Sequence, residues 1–166
     1  MRNLKMLMLA AVGCCALVSC SDDDSENANA GIAGTYRLTA WNAPVAVDFN
    51  DDGTANVNLM NETSCYNNSD LILHRDGTYD MTYNYVNIDG TVSCGSETTT
   101  GTWTRTGNTV TTTHLSGGQN VTADFNYASG NQRTLTRTVS NWNYPSIDGN
   151  DQVYAVGSVN MVLTKQ

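Results

Sequence analysis

Polar and apolar residues alternate along most of this chain. In Thr78–Tyr85 the side chains of Tyr79, Met81, Tyr83 and Tyr85 fall on one face, with Asp80, Thr82 and Asn84 on the other. Between Asn120 and Tyr127, Val121, Ala123, Phe125 and Tyr127 oppose Asn120, Thr122, Asp124 and Asn126. Near the C-terminus Val153, Ala155, Val159, Met161 and Leu163 line up at even spacing. A period of two belongs to a half-buried antiparallel strand, and no long window keeps the i, i+3, i+4, i+7 spacing of a helix. The pattern predicts strands near 34–42, 45–50, 54–60, 70–75, 78–88, 98–106, 109–115, 120–128, 132–140 and 152–164.

Turn chemistry separates these segments. Asp52-Gly53, Asp76-Gly77, Asp89-Gly90, Gly107-Asn108 and Gly130-Asn131 supply residues that tolerate positive φ. Asp52-Gly-Thr54 and Asp76-Gly-Thr78 read as two similar hairpins, since no fixed period continues. Short connections pair each strand with the next, giving an all-β, antiparallel up-and-down meander. A meander of this size removes its exposed edges by closing, so the expected fold is a barrel of about eight to ten strands. At about eight strands the interior is filled by side chains or holds one small ligand.

The first residues change where that barrel is expected to work. Met1–Lys5 is positively charged, Met6–Val18 is apolar, and Leu17-Val18-Ser19-Cys20 follows. This is the layout of a secretory signal, too short to span a bilayer. The tetrapeptide resembles the lipobox of bacterial lipoproteins, which implies that residues 1–19 are removed and that Cys20 carries the lipid anchor. Residues 20–33 then form an acylated cysteine and an acidic flexible tether, in which residues 21–33 have a mean reach of about 20 Å. The ordered domain is expected over 34–166. Ser21-Asp-Asp-Asp24-Ser-Glu26 looks like a surface-export signal, a solvated linker being the plainer alternative. The expected location is the outer membrane, lipid-anchored and facing the cell exterior, with the membrane touched through the anchor only.

Losing Arg2 and Lys5 from the 8 basic residues leaves 6 against 16 acidic ones, a formal charge of −10 on the mature chain. Nucleic acid is excluded as a partner, because phosphate binding needs clustered Lys and Arg. Of 5 cysteines, Cys14 and Cys15 leave with the signal and Cys20 is acylated. Cys65 and Cys94 remain as an even pair in an oxidising compartment, where a structural disulfide is expected. Two free thiols or a metal pair are the alternatives, although no His or third Cys stands nearby at ligand spacing.

Together these residues resemble the lipocalin-like lipoproteins of Bacteroidetes. The resemblance rests on the lipobox and acidic tether, Gly34-Thr35-Tyr36-Arg37-Leu38, and Cys65 and Cys94 flanking the DGT hairpin. It rests also on Gly101-Thr102-Trp103-Thr104 and on the closing Val162-Leu163-Thr164. It implies a calycin-type antiparallel barrel. Here the opening aromatic is Tyr36 rather than tryptophan, and the surviving Gly-x-Trp sits at Gly101–Trp103. An outer-membrane barrel of similar length needs an apolar outward belt on every strand, and the Thr-rich faces at 98–106 and 111–113 are too polar for lipid.

The inward set is expected to be Tyr79, Met81, Tyr83, Tyr85, Trp103, Phe125, Tyr127 and Met161, either as packed core or as pocket wall. Gly101, Ala123, Ala155 and Gly157 share those faces and would leave space. Arg137 shares the face of Leu135 and Val139, so alternation sends a guanidinium inward. There it needs an internal partner, a flip to solvent, or a ligand carboxylate. Arg105 shares the face of Trp103 and poses the same question. Asp48-Phe-Asn50-Asp-Asp52-Gly53 matches half of a calcium loop but lacks the closing Glu, so a hairpin turn is expected and no metal. His74 and His114, the 2 histidines, fit no hydrolytic motif.

The expectation is a surface-displayed lipoprotein that binds a small hydrophobic or amphipathic, partly apolar ligand in its barrel, with no catalytic residues and no cofactor. The alternative is a protein- or glycan-interacting accessory module with a filled barrel and no ligand. Its contacts would come from loops at Asn61–Ser69 and Asn141–Gln152, with Tyr66, Trp142 and Tyr144 as anchors. The protein partner is left open.

Overall fold

Alternation decides which way each side chain points, and short turns decide which strands meet. The computed structural model describes Asn29 and residues 31–166; the expected signal peptide, Cys20 and most of the tether lie outside them. The strands are β1 (Gly34–Val47), β2 (Asn56–Asn58), β3 (Asp70–Leu73), β4 (Thr78–Asp89), β5 (Thr91–Thr106), β6 (Thr109–Ser116), β7 (Gln119–Ala128), β8 (Thr134–Asp148) and β9 (Asp151–Lys165). Two single-turn 3-10 helices, Leu59–Asn61 and Ser64–Tyr66, lie between β2 and β3.

Every pairing is antiparallel, and the sheet closes where β1 meets β9, from Tyr36 opposite Lys165 to Asn42 opposite Asn160. The result is an eight-stranded closed barrel with β2 added beside the upper part of β1. The all-β meander expected from the alternation is the observed fold.

Two bulges reset the alternation. Against β9, β1 carries an extra residue between Leu38 and Ala40, so the buried face passes from Tyr36 and Leu38 to Trp41 and Ala43. β8 carries another between Val139 and Trp142, where Asn141 takes φ of 55°. These bulges explain the main departures from the expected elements. The segments expected at 34–42 and 45–50 form one bent strand that ends at Val47, leaving Asp48–Asn50 to the following turn. The loop expected at Asn141–Gln152 is instead the outer half of a β8–β9 hairpin, with Pro145 opposite Tyr154. β7 pairs only with Thr134–Thr136 of β8, so the rest of β8 has an open edge, where proline is tolerated.

One end of the barrel is sealed. Ile32 is only 1% exposed there and belongs to the same buried cluster as Tyr36, Leu73, Trp103, Tyr127 and Leu135. The tether expected to run through residue 33 therefore ends earlier, because Ile32 belongs to the core. The Tyr36 hydroxyl donates to the Ile32 carbonyl at 2.7 Å, the Trp103 indole to the His74 carbonyl at 2.9 Å, and Lys165 Nζ to the Ala33 carbonyl at 2.6 Å. At the other end the 3-10 segment covers the upper part of β4, beyond its pairing with β3. Buried Glu62 holds this region by accepting from the Phe49 amide at 3.0 Å and from the Asn56 side chain.

Cys65 and Cys94 are bonded, with Cα atoms 5.0 Å apart. Cys65 lies in the second 3-10 turn and Cys94 on β5, so the bond fastens the segment carrying Tyr66 to the barrel wall. Replacing both by serine should lower the unfolding free energy by roughly 3–4 kcal/mol, the loop-closure value for about 30 residues. Denaturant unfolding of the double variant against the oxidised protein measures this, and an unchanged midpoint would contradict it.

Candidate functional site

The upper half of the barrel is hollow. A cavity of about 680 Å³ is lined from β4 by Tyr79, Met81, Tyr83 and Tyr85, the alternate residues of one unbulged stretch. Trp41 enters it because the β1 bulge turns that side chain inward. Its indole Nε1–H donates to the Tyr83 hydroxyl at 2.9 Å, and its ring stacks on Tyr66 with centroids 5.0 Å apart. Tyr83 in turn stacks on Tyr85 at 5.9 Å. Four aromatic rings thus form a continuous wall with part of its polar tips already paired, which leaves flat apolar surface for a ligand.

Opposite stand Thr112 and His114 of β6, Ala123 of β7, and Arg137 and Met161 of β8 and β9. The Tyr79 hydroxyl meets His114 Nδ1 at 3.2 Å near the floor. The outer part of the β8–β9 hairpin brings in Pro145 and Tyr154. The Tyr154 hydroxyl donates to the Val86 carbonyl at 2.7 Å and accepts from the Ile88 amide at 3.1 Å, fastening the hairpin to β4. No comparable bridge joins β7 to β8 beyond Thr136 among the described residues. There the ladder ends and leaves a slit edged by Val121, Thr122 and Ala123 on one side and Arg137, Asn141 and Asn143 on the other.

Six residues expected to face a ligand are brought together here: Tyr79, Met81, Tyr83, Tyr85, Arg137 and Met161. Trp103, Phe125 and Tyr127 are not. They point inward but lie lower, buried in the packed floor. Alternation distinguishes inside from outside and carries no information on height along the barrel. Gly101 and Gly157 also differ from expectation. A Cβ on Gly101 would strike the Thr113 carbonyl, and one on Gly157 would strike Pro44, so these glycines allow close packing and leave no space. Ala123 does line the cavity.

Arg105 is exposed at the sealed end, its guanidinium carbon 5.3 Å from the Tyr127 ring and its Nε donating to the Gly107 carbonyl at 2.6 Å. His74 pairs with Asp80 at 2.8 Å on the surface. In the acidic loop, Asp48 accepts from the amides of Asp52 and Gly53, at 3.0 and 2.9 Å, as a turn does. No group of three His, Cys, Asp or Glu residues able to hold a metal occurs among the described residues. Tyr66 and Tyr144, expected as surface anchors, are 2% and 7% exposed, because each packs into the core.

Burial dominates the electrostatics. It pushes the Tyr83 hydroxyl up to about 12 against the opposing bond from Trp41, and the Tyr36 hydroxyl up to about 12 as well. Tyr66 and Tyr79 are raised for the same reason. Burial lowers Arg137, with Asp124 and Tyr83 acting in the opposite direction. An unfolded chain ionises its tyrosines near 10, so the unfolded state releases these protons first. The stability they contribute is full below about pH 10 and is lost as pH rises toward 12. Phenolate absorbance should show the buried tyrosines, Tyr36, Tyr66 and Tyr83 among them, ionising only as the sheet unfolds above about pH 10. A single step near 10 with the β signal intact would contradict the burial.

Residues 32–136 match the family model described as a lipocalin-like domain. No curated protein matches the chain, and no solved structure does.

Proposed function

The chain belongs to the lipocalin-like domain family, and from that premise we propose that it is a binding protein, not an enzyme, for one small, partly apolar molecule, displayed at the cell surface on a lipid carried by Cys20. A lipocalin-like barrel binds small ligands generally. The observation that carries the reading here is the hollow upper barrel, whose volume of about 680 Å³ falls within the range of small-molecule sites. Its wall supports binding over chemistry: Trp41 is committed to Tyr83 and Tyr79 to His114, which shapes and stiffens the surface. The accessory-module alternative required a filled barrel, and two of its three anchors are buried.

N-phenyl-1-naphthylamine, a neutral fluorescent probe, should bind the mature protein saturably at one site. Ala123→Phe, which places a ring in the cavity, should abolish the signal while leaving the β spectrum unchanged. Unsaturable binding, or full binding to the variant, would overturn the cavity reading.

Display rests on the sequence: the apolar segment Met6–Val18, Leu17-Val18-Ser19-Cys20, and the acidic run after it. Cys20→Ser should release a folded protein from the membrane fraction, and retention after a salt wash would refute the anchor. Replacing Asp22, Asp23 and Asp24 by alanine should keep the anchor and reduce cleavage by an external protease; unchanged exposure makes the run an ordinary linker.

A further inference from the structure

Arg137 has no counter-ion of its own. Its guanidinium carbon lies 5.8 Å from the centre of the Phe125 ring, on the cavity wall, and among the described residues it makes neither a hydrogen bond nor an ion pair. No side-chain nitrogen of the described residues is both sealed from solvent and unpaired, so the unpaired Arg137 donors are accessible, and the residue lines the cavity. The charges acting on it in the folded protein are Asp124 and the Tyr83 hydroxyl. Asp124 is exposed and accepts at 2.6 Å from Thr111, while the cavity's carboxylate, Glu97, stands on β5 and is not among those acting on Arg137. A partly buried cation normally sits with a partner, and removing it from water without one is unfavourable.

Its position adds to this. Arg137 follows Thr136, the last β8 residue paired with β7, and so stands at the inner end of the slit between those strands. A ligand lying against the Trp41–Tyr83–Met161 wall would bring one end of its body to that point.

We propose that the molecule held in this barrel is an amphipathic monocarboxylate, its apolar or flat body against the aromatic wall and its carboxylate on Arg137 at the inner end of the β7–β8 slit. The inference rests on the cavity reading above and adds the charge and the orientation of the ligand. A guanidinium offers a planar fork of donors that matches a carboxylate bidentately. One cation balances one carboxylate charge, whereas a phosphate monoester brings about −1.5 to −2.

The test compares 2-naphthoate with 2-naphthamide, which share a body and differ in charge, as competitors of N-phenyl-1-naphthylamine on the full mature protein. The wild type should prefer the naphthoate by about tenfold to a hundredfold, as expected for hydrogen bonds to a charged group. Arg137→Met should remove the preference, with naphthoate losing far more affinity than naphthamide, and Arg137→Lys should restore part of it. If the probe binds and both compounds displace it equally, the cavity reading stands and the carboxylate proposal falls. If neither the probe nor either compound binds, by fluorescence or calorimetry, both fall together. If Arg137→Met does not fold, the wild-type preference and its decline with added salt still decide the matter.

Discussion

β1 must satisfy hydrogen bonds along both of its edges. On one side its lower part pairs with β3 and its upper part with β2; on the other it closes the barrel against β9. A flat strand cannot follow both partners around a barrel of this radius, and the extra residue between Leu38 and Ala40 supplies the bend. The same bulge moves the inward phase from Leu38 to Trp41. The indole that results stacks on Tyr66, donates to Tyr83, and defines one side of the cavity. Closure and cavity wall therefore have a common origin in one inserted residue.

The barrel is divided along its axis into two functions. The lower half is close-packed around Tyr36, Trp103, Phe125 and Leu135, and it supplies the cohesion of the fold. The upper half keeps long strands with fewer cross-connections: β3 covers only the start of β4, and β7 only the start of β8. One of these gaps is filled by the segment held by the Cys65–Cys94 bond, and the other stays open as the slit beside Arg137. Exposed apolar residues gather around this half, among them Leu115 at 74% and Val156 at 64%.

How much of this could be read from the sequence depended on whether a strand was bulged. β4 is not, and its alternation placed Met81, Tyr83 and Tyr85 on the cavity wall directly. β1 and β8 are, and Trp41 and Pro145 escaped notice because each lies beyond an inserted residue that reverses the phase; Tyr154, on unbulged β9, is out of phase with Val153 and Ala155. Tyr66 reaches the cavity through a covalent link to a distant strand, which no local pattern encodes. Trp103, Phe125 and Tyr127 had the correct face but the wrong depth, since height depends on how far each strand is staggered around the barrel. The inward direction of Arg137 was legible from Leu135 and Val139. Its lack of a partner was not, because partners come from other strands.

The chain enters the barrel at the sealed end, where Ile32 plugs the floor and Lys165 binds the carbonyls of residues 31–33. Any attachment upstream of Asn29 consequently grips the molecule by its base. The cavity lies in the other half of the barrel, so the slit beside Arg137 and the point where the chain enters are kept apart. Changes at the packed floor and changes at the slit can therefore be made independently, since Ile32 and Arg137 stand in different halves of the barrel.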